Sequence, residues 1–516
     1  MAGAIVAVTC GVALAGTARP DTAIAAARHN PPNIVLIQAD DQTFGQFTRR
    51  VMPKTNRYLI RHGTEFENYM VTTAECCPSR ASLITGQYAH NNGVTSNQVA
   101  YPGLKAKRNV LPAWLRRSGY RTMHVGAKYL NGYREFAGKK VAPGWSNWFT
   151  VLSHTQYYKY VASDDGHLRH FGARPRDYIG RVLGHEATSL IHKYGKDRKP
   201  FFLQLDERAP HVSRTNDPYG NCDDKPIPDR RDEGKFARVS LPEPPSFNEE
   251  DMSDKPAFLR SAPRVGPRNR DRLTAKWRCA LDSLVGVDRN VGKVFKAIKK
   301  SGELDNTVFI YLSDNGLFYG EHRIAEGKVF PYEDAIHMPL VMRIPKRYRD
   351  GAHRVARTGK LVGNIDLAPT ILDLAHAKPC SKGRCRTMDG RSLMPLLSGR
   401  GGWPKDRTLL NEYRVPDVPR YSTCEFAAIR TRKEIYVEHY RVVDPVSHDC
   451  EPTLQKERYD LGKDPFELNS LCHGGSPASC PHDAQQVQLE RRLHKLRRCA
   501  GIKGRDRRTA GRPFCK

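Results

Sequence analysis

The chain has 516 residues, of which 39% are hydrophobic and 27% charged, with a formal net charge of +29. That length implies one large domain with a smaller companion, and the composition excludes a chain too polar to fold. The positive excess draws anionic partners, and for an exported protein a sulfated polysaccharide or an anionic cell surface fits better than nucleic acid.

The chain opens on "AGAIVAVTCGVALAGTA", a short apolar run of small residues. With Ala13-Leu14-Ala15 and the later "TAIAAA" as cleavage sites, residues 1–28 read as a secretory signal peptide, although no Lys or Arg precedes the run. The run is short for a membrane span and no other segment approaches that length, so a secreted product without stable membrane insertion is expected.

Five short apolar runs read as buried strands: "NIVLIQ" (33–38), "TMHVGA" (122–127), "FFLQL" (201–205), "TVFIYL" (307–312) and "PLVMRI" (339–344). Helical patterns alternate with them. In the segment 273–300, Trp277, Leu281, Leu284, Val291 and Ile298 recur on one face, and "DLAPTILDLA" (366–375) is a second helix. The alternation predicts an α/β fold, a large mostly parallel sheet flanked by helices, over a domain at 29–385. Residues 212–272 are polar and rich in Pro, Arg and Asp, which predicts a long excursion over the surface or an active-site rim. A smaller α+β domain is expected at 386–516. It contains the antiparallel hairpin "FAAIRTRKEIYVEHYR" and ends in a basic, helical and then irregular tail.

In parallel sheets, function gathers at the carboxyl ends of strands. "NIVLIQ" runs into Asp40 and Asp41, and "TVFIYL" into Asp314 and Asn315. Three carboxylates and an amide at one edge repel one another unless a cation sits among them, and all-oxygen ligands select Ca²⁺ or Mg²⁺ over zinc. Either pair alone would read as a helix N-cap or a turn. "TMHVGA" runs into Lys128, "FFLQL" leads to His211, and Lys328 lies in "GEHRIAEGKVFPYED". A metal ringed by Lys, His and Arg suits a small, highly charged oxyanion. Thirteen cysteines include the adjacent pair Cys76-Cys77, before Pro78-Ser79-Arg80, and Cys10 in the leader. Ten remain, an even number that predicts disulfides of undetermined connectivity. A nearest-neighbour pairing would be 380–385, 424–450, 472–480 and 499–515, leaving 222–279.

These residues carry a family likeness. The chain resembles the type I sulfatases of the alkaline phosphatase superfamily, whose signature is Cys-x-Pro-Ser-Arg followed by a helix and Leu-Thr-Gly. Here it reads Cys76-Cys77-Pro78-Ser79-Arg80 and then "ASLITG", with Ile84 in place of the usual Leu. "ADDQ", "RAPH", "LSDNGLFYGEH", "GNIDLAPTILDLA" and "ERYDLGKDPFELNSL" follow in order, so the likeness spans roughly residues 31–471. "KYLNGY" and "APGWSNWF" are most similar to the N-acetylglucosamine-6-sulfatase branch.

The resemblance implies that Cys76 is oxidised to Cα-formylglycine by a maturation enzyme that reads Pro78 and Arg80. One hydroxyl of the hydrated aldehyde attacks sulfur, and the other collapses to the carbonyl and expels sulfate. It implies Ca²⁺ held by Asp40, Asp41, Asp314, Asn315 and the residue-76 oxygen. Arg80 and Lys128 would hold the formylglycine, and His211 and Lys328 would grip the sulfate, with one of the latter two protonating the leaving alkoxide. The chain departs from the family at Leu130, where many members carry a His two residues after the Lys. The expected activity is hydrolysis of a sulfate monoester on a small molecule or a glycan. Two alternatives remain at this point: a phosphonate monoester or phosphodiester hydrolase with the same site, and an inactive protein that binds sulfated glycans.

Overall fold

In the computed structural model, the residues described are 1, 3, 30–153, 155–349, 353–381, 383–399, 401–415, 423–443 and 450–515. The signal-peptide reading of residues 1–28 lies outside them, save for residues 1 and 3. Pro31–Lys516 pack as one compact unit.

Its frame is an eleven-stranded mixed sheet. Strands β1 (Asn33–Ala39), β2 (Thr64–Met70), β3 (Arg121–Gly126), β4 (Asn147–Val151), β5 (Tyr160–Asp164), β6 (His167–Phe171), β7 (Phe201–Asp206), β8 (Thr307–Ser313), β9 (His337–Arg343) and β10 (Arg357–Thr358) lie in the order β10-β2-β9-β8-β1-β7-β3-β4-β5-β6. Strand β11 (Val362–Gly363) also pairs with β2. All five apolar runs are strands. The centre, β8-β1-β7-β3-β4, is parallel. The fifth run, β9, is antiparallel to its neighbours β8 and β2, and β5 and β6 are antiparallel because short connections reverse the chain between β4, β5 and β6. Strands β2 and β4 to β6 mix polar with apolar residues and lack a continuous apolar run, so composition does not announce them.

Alternate side chains feed two cores. Ile34 and Leu36 with Ile310 and Leu312 pack on one face, and Val35 and Ile37 with Phe309, Tyr311 and Leu203 on the other. Helix α1 (Cys76–Thr85) lies on the first face. Helices α2 (Ile179–Tyr194) and α3 (Pro267–Lys300) cover the second. The predicted stripe Trp277, Leu281, Leu284, Val291 and Ile298 of α3 is buried throughout, each residue contributing roughly 1.5–3 kcal/mol. Helix α4 (Leu367–Leu374) matches the second predicted helix.

The excursion 212–272 is ordered against α3 by buried Phe236, Leu241 and Phe247, by Asp282 accepting from Gly234 and Phe236 N–H at 2.9 Å each, and by the Cys222–Cys279 disulfide. A separate four-stranded antiparallel sheet follows: β14 (Leu409–Arg414), β15 (Thr423–Arg430), β16 (Glu434–Val443) and β17 (Cys450–Asp460), numbered after the two-stranded β12 (Cys380–Ser381) and β13 (Arg384–Cys385). The predicted hairpin is β15–β16, with Arg430 opposite Ile435. Helix α5 (Ala484–Leu496) carries the basic tail. The five disulfides are 222–279, 380–385, 424–450, 472–480 and 499–515, the nearest-neighbour set.

Candidate active site

The site forms where the parallel strands end. Ala39 of β1 stands beside Ser313 of β8, so Asp40-Asp41 and Asp314-Asn315 leave the sheet side by side. Gln42 N–H donates to Ser313 Oγ at 2.9 Å, and Asp41 N–H to Asp314 Oδ1 at 3.1 Å. These bonds hold Asp41 at φ +71, a left-handed conformation costing a non-glycine residue about 1 kcal/mol. Gly316 lets the chain turn under the cluster, since a Cβ there would lie 2.0 Å from the Asp334 carbonyl oxygen.

Cys76 is the first residue of α1, after Glu75 at the N-cap. All ten residues of that helix are buried. The Cys76 thiol donates toward Asp40 Oδ1 at 3.3 Å and receives the Lys328 ammonium at 2.9 Å. Lys328 also bonds Asp41 Oδ1, and a backbone bridge between Val329 and Ala74 ties its loop to the chain just before Cys76. One turn along α1, Arg80 places Nε 2.8 Å from Asp314 Oδ2, Nη2 3.6 Å from Asp40 and Nη1 3.7 Å from Asp206. Lys128, directly after β3, lies 2.9 Å from Asp40 Oδ2. His211, beyond β7, donates from Nδ1 to the Val212 carbonyl at 2.7 Å, which leaves Nε2 facing Asp41 Oδ2 at 3.8 Å. Every residue singled out in the sequence therefore converges on one point.

Two residues near that point went unremarked. Asp206 bridges Arg80 and, at 3.1 Å, His124, while Arg208 Nη1 sits 3.8 Å from Asp40 Oδ2. The signal was available: "FFLQLDER" ends a strand in charged residues just as "NIVLIQADD" does. Leu130, at the position of the family His, is a buried apolar residue lining the cleft.

Burial raises the Asp40 carboxyl, but Lys128, then His211 and Arg80, overcome it and hold the group well below the usual carboxylate range. Burial also dominates at Asp314, which rises to about 6 against Arg80. Lys328 is desolvated, yet Asp41 keeps it protonated, well above its ordinary value. Burial takes His211 down to about 4 against Asp41 and Asp40. The Cys76 thiol is raised by burial, more than Lys128 and Lys328 lower it, so it is a neutral thiol.

The donor set fits a hard cation. Ligand atoms of Asp40, Asp41, Cys76 and His211 lie within 4.8 Å of one another. Asn315 donates from Nδ2 to Asp41 at 2.7 Å, while its buried Oδ1 accepts no hydrogen bond from any described residue. An orphaned amide oxygen beside three carboxylates is a ligand atom that a cation could satisfy. The cluster floors a cleft of about 900 Å³, lined further by Arg134, Arg214, Arg272 and Lys276 and by Glu135, Asp224 and Glu326, the last paired with Arg272 and Lys276.

The family model described as Sulfatase matches residues 32–377, and that described as N-sulphoglucosamine sulphohydrolase, C-terminal, matches 320–498. The chain is 32% identical to an arylsulfatase of Volvox carteri over 87% of this chain and 72% of that one. It is 30% identical to N-acetylglucosamine-6-sulfatase of Capra hircus over 91% and 84%. The solved structure of a protein bound to its substrate D-glucosamine-2-N,6-O-disulfate superposes with TM-score 0.68 at 23% identity, covering 90% of this chain and 97% of that one.

Proposed function

This chain belongs to the sulfatase family, as a type I sulfatase of the alkaline phosphatase superfamily, and from that premise we propose that it is an exported enzyme cleaving the 6-O-sulfate of glucosamine units in a sulfated glycan. The observation that carries the reading is the convergence of Cys76, three carboxylates, Asn315 and four cationic or proton-bearing side chains at one sheet edge, on the floor of a cleft. The relatives' names support the glucosamine assignment. The five disulfides support export.

Asp40, Asp41, Asp314 and Asn315 would hold Ca²⁺, which when bound supplies Lewis acidity at a sulfate oxygen. A desolvated neutral thiol is a poor nucleophile, which fits conversion of residue 76; as formylglycine hydrate it supplies one hydroxyl to attack sulfur and a second to release sulfate. The remaining work falls to side chains already in place. Arg80, pinned by Asp314, holds residue 76 through the first turn of α1. Lys128, anchored on Asp40, and Lys328, anchored on Asp41 and in contact with residue 76, stabilise the charge that grows on the sulfate oxygens. His211 is neutral, with its one ring proton on Nδ1 committed to a backbone carbonyl, so Nε2 meets the substrate as an acceptor, and the protonated Lys328 ammonium is the group that hands a proton to the leaving sugar oxygen. Leu130 contributes no proton-transfer group, so elimination of sulfate relies on the neighbouring charges.

The purified protein, assayed in parallel on an aryl sulfate, glucosamine 6-sulfate and a phosphonate monoester, should turn over the sulfates. Phosphonate turnover faster by orders of magnitude would overturn the assignment. Mass spectrometry of the tryptic peptide His62–Arg80 reads the state of Cys76, and a fully unmodified thiol in active protein refutes the nucleophile.

A further inference from the structure

Away from the cleft, a cavity of about 450 Å³ is lined by Gly359, Lys360, Leu361, Pro404, Lys405, Arg407 and Arg432. It shares no residue with the active-site cleft. Three parts of the chain build it. Residues 359–361 join β10 to β11 at the outer edge of the large sheet, residues 404–407 lead into β14, and Arg432 sits in the turn between β15 and β16. The active site, by contrast, lies at the central strands.

Four of the seven lining residues are cations and none is acidic. Among the described residues, Lys360, Lys405 and Arg432 have no carboxylate partner. Arg407 is more than nine-tenths buried, with Nη2 tied to Asp366 Oδ1 at 2.6 Å, its guanidinium over the Trp403 ring at 4.6 Å, and Nη1 without a hydrogen-bond partner among the described residues. A buried guanidinium nitrogen left unpaired is costly, and three unpaired cations around the same hollow repel one another. Asp366 meets one nitrogen of Arg407, but no carboxylate among the described residues meets Lys360, Lys405 or Arg432. For these three cations the complement is missing. It is anionic, has to bridge several cations spaced around a hollow, and is supplied from outside the fold.

We propose that this cavity is a second, non-catalytic site that binds the sulfate and carboxylate groups of a polyanionic glycan chain, holding the polymer while the cleft works on another of its units. The choice of a glycan as the polyanion rests on the function proposed above; the anionic character of the ligand rests on the cavity alone. A single sulfate ion would engage one or two of the cations, whereas a chain with sulfates on successive sugars engages the exposed Lys360, Lys405 and Arg432 together.

The test uses the full-length protein, a size-defined heparin-type oligosaccharide, inorganic sulfate, and the double variant Lys405→Ala/Arg432→Ala. Both substituted side chains are solvent-exposed, so the variant should fold, and an unchanged melting temperature verifies it. Oligosaccharide affinity should fall on the order of tenfold in the variant, as expected for two partly screened ion pairs. Aryl sulfate turnover should not change, because neither residue lines the cleft. The oligosaccharide should also shield Lys360 and Lys405 of the wild-type protein from acetylation. Unchanged affinity in the variant, or shielding confined to the basic helix α5, overturns the proposal. So does equal shielding by inorganic sulfate, or by a DNA duplex of matched charge. Failure of the enzyme to cleave any sulfate ester would instead sink the catalytic reading, and the binding arms would still report on the cavity.

Discussion

The Cys222–Cys279 disulfide offers a prediction whose size follows from the chain. It closes a loop with a sequence separation of 57 and ties the excursion to α3. The loop-closure relation assigns such a cross-link about 4 kcal/mol at 25 °C. In Cys222→Ser/Cys279→Ser, therefore, local opening of the excursion should become more frequent by up to about a thousandfold, reduced by the polar ties that survive. Those ties are Asp229 with Arg181 at 2.6 Å, Asp232 with Arg289, and the two backbone bonds to Asp282. Limited trypsinolysis at Arg230, Arg231 and Lys235 should then be at least about tenfold faster in the variant under conditions where opening limits cleavage. Because Arg214, Asp224 and Arg272 line the cleft, KM for a glycan substrate should rise while kcat on an aryl sulfate stays close to wild type. A variant with wild-type proteolysis and wild-type KM would refute the reasoning, and would show that Asp229, Asp232 and Asp282 alone hold the rim.

Cys76→Ala should abolish turnover, whereas Cys77→Ala should retain most of it and lose stability by about 1 kcal/mol, the cost of a small core cavity, read as a melting shift. Chelation of divalent ions should lower the wild-type melting temperature, since a ligand at a hundredfold excess over its Kd stabilises by about 2.7 kcal/mol; Asp314→Asn should lose most of that response. Glu207 is buried, and burial lifts its carboxyl to about 8 against the Asn290 hydrogen bond. Its folded value lies above the ordinary 4.5, so the stability it confers is complete below pH 4.5 and is lost as pH rises toward about 8. That loss amounts to roughly 3 kcal/mol at pH 7, and Glu207→Gln should flatten the slope of melting temperature against pH over that window.

Much of this was legible in the sequence, for identifiable reasons. Strands buried on both faces appear as unbroken apolar runs, and Asp40-Asp41 and Asp314-Asn315 were readable because each pair ends such a run. Strands β4 to β6 mix polar with apolar residues and gave no comparable signal. Charges whose meaning depends on distant partners were also invisible. Arg407 is an ordinary arginine until Asp366 and Trp403 surround it, and Lys276 joins the rim only because the fold brings Glu326 within 2.7 Å of it. The fate of Cys77 belonged to the same class. Its thiol points into the core, where it meets the Asn131 carbonyl at 3.7 Å, and its N–H donates to Asn97 at 2.8 Å.

The complete burial of α1 sets an order of events. Cys76, Pro78, Ser79 and Arg80 are all inaccessible in the finished protein. An enzyme that has to read this stretch and oxidise Cys76 can reach it only while the chain is still unfolded, and the window closes as β1, β8 and α1 come together. On the proposed conversion of residue 76, maturation and folding would be in kinetic competition. Molecules that fold first would keep a thiol on the floor of the finished cleft, with the helix around it buried, where later addition of the maturation enzyme would not rescue them. The specific activity of a preparation would then report the race each chain ran during synthesis as much as the chemistry of its active site.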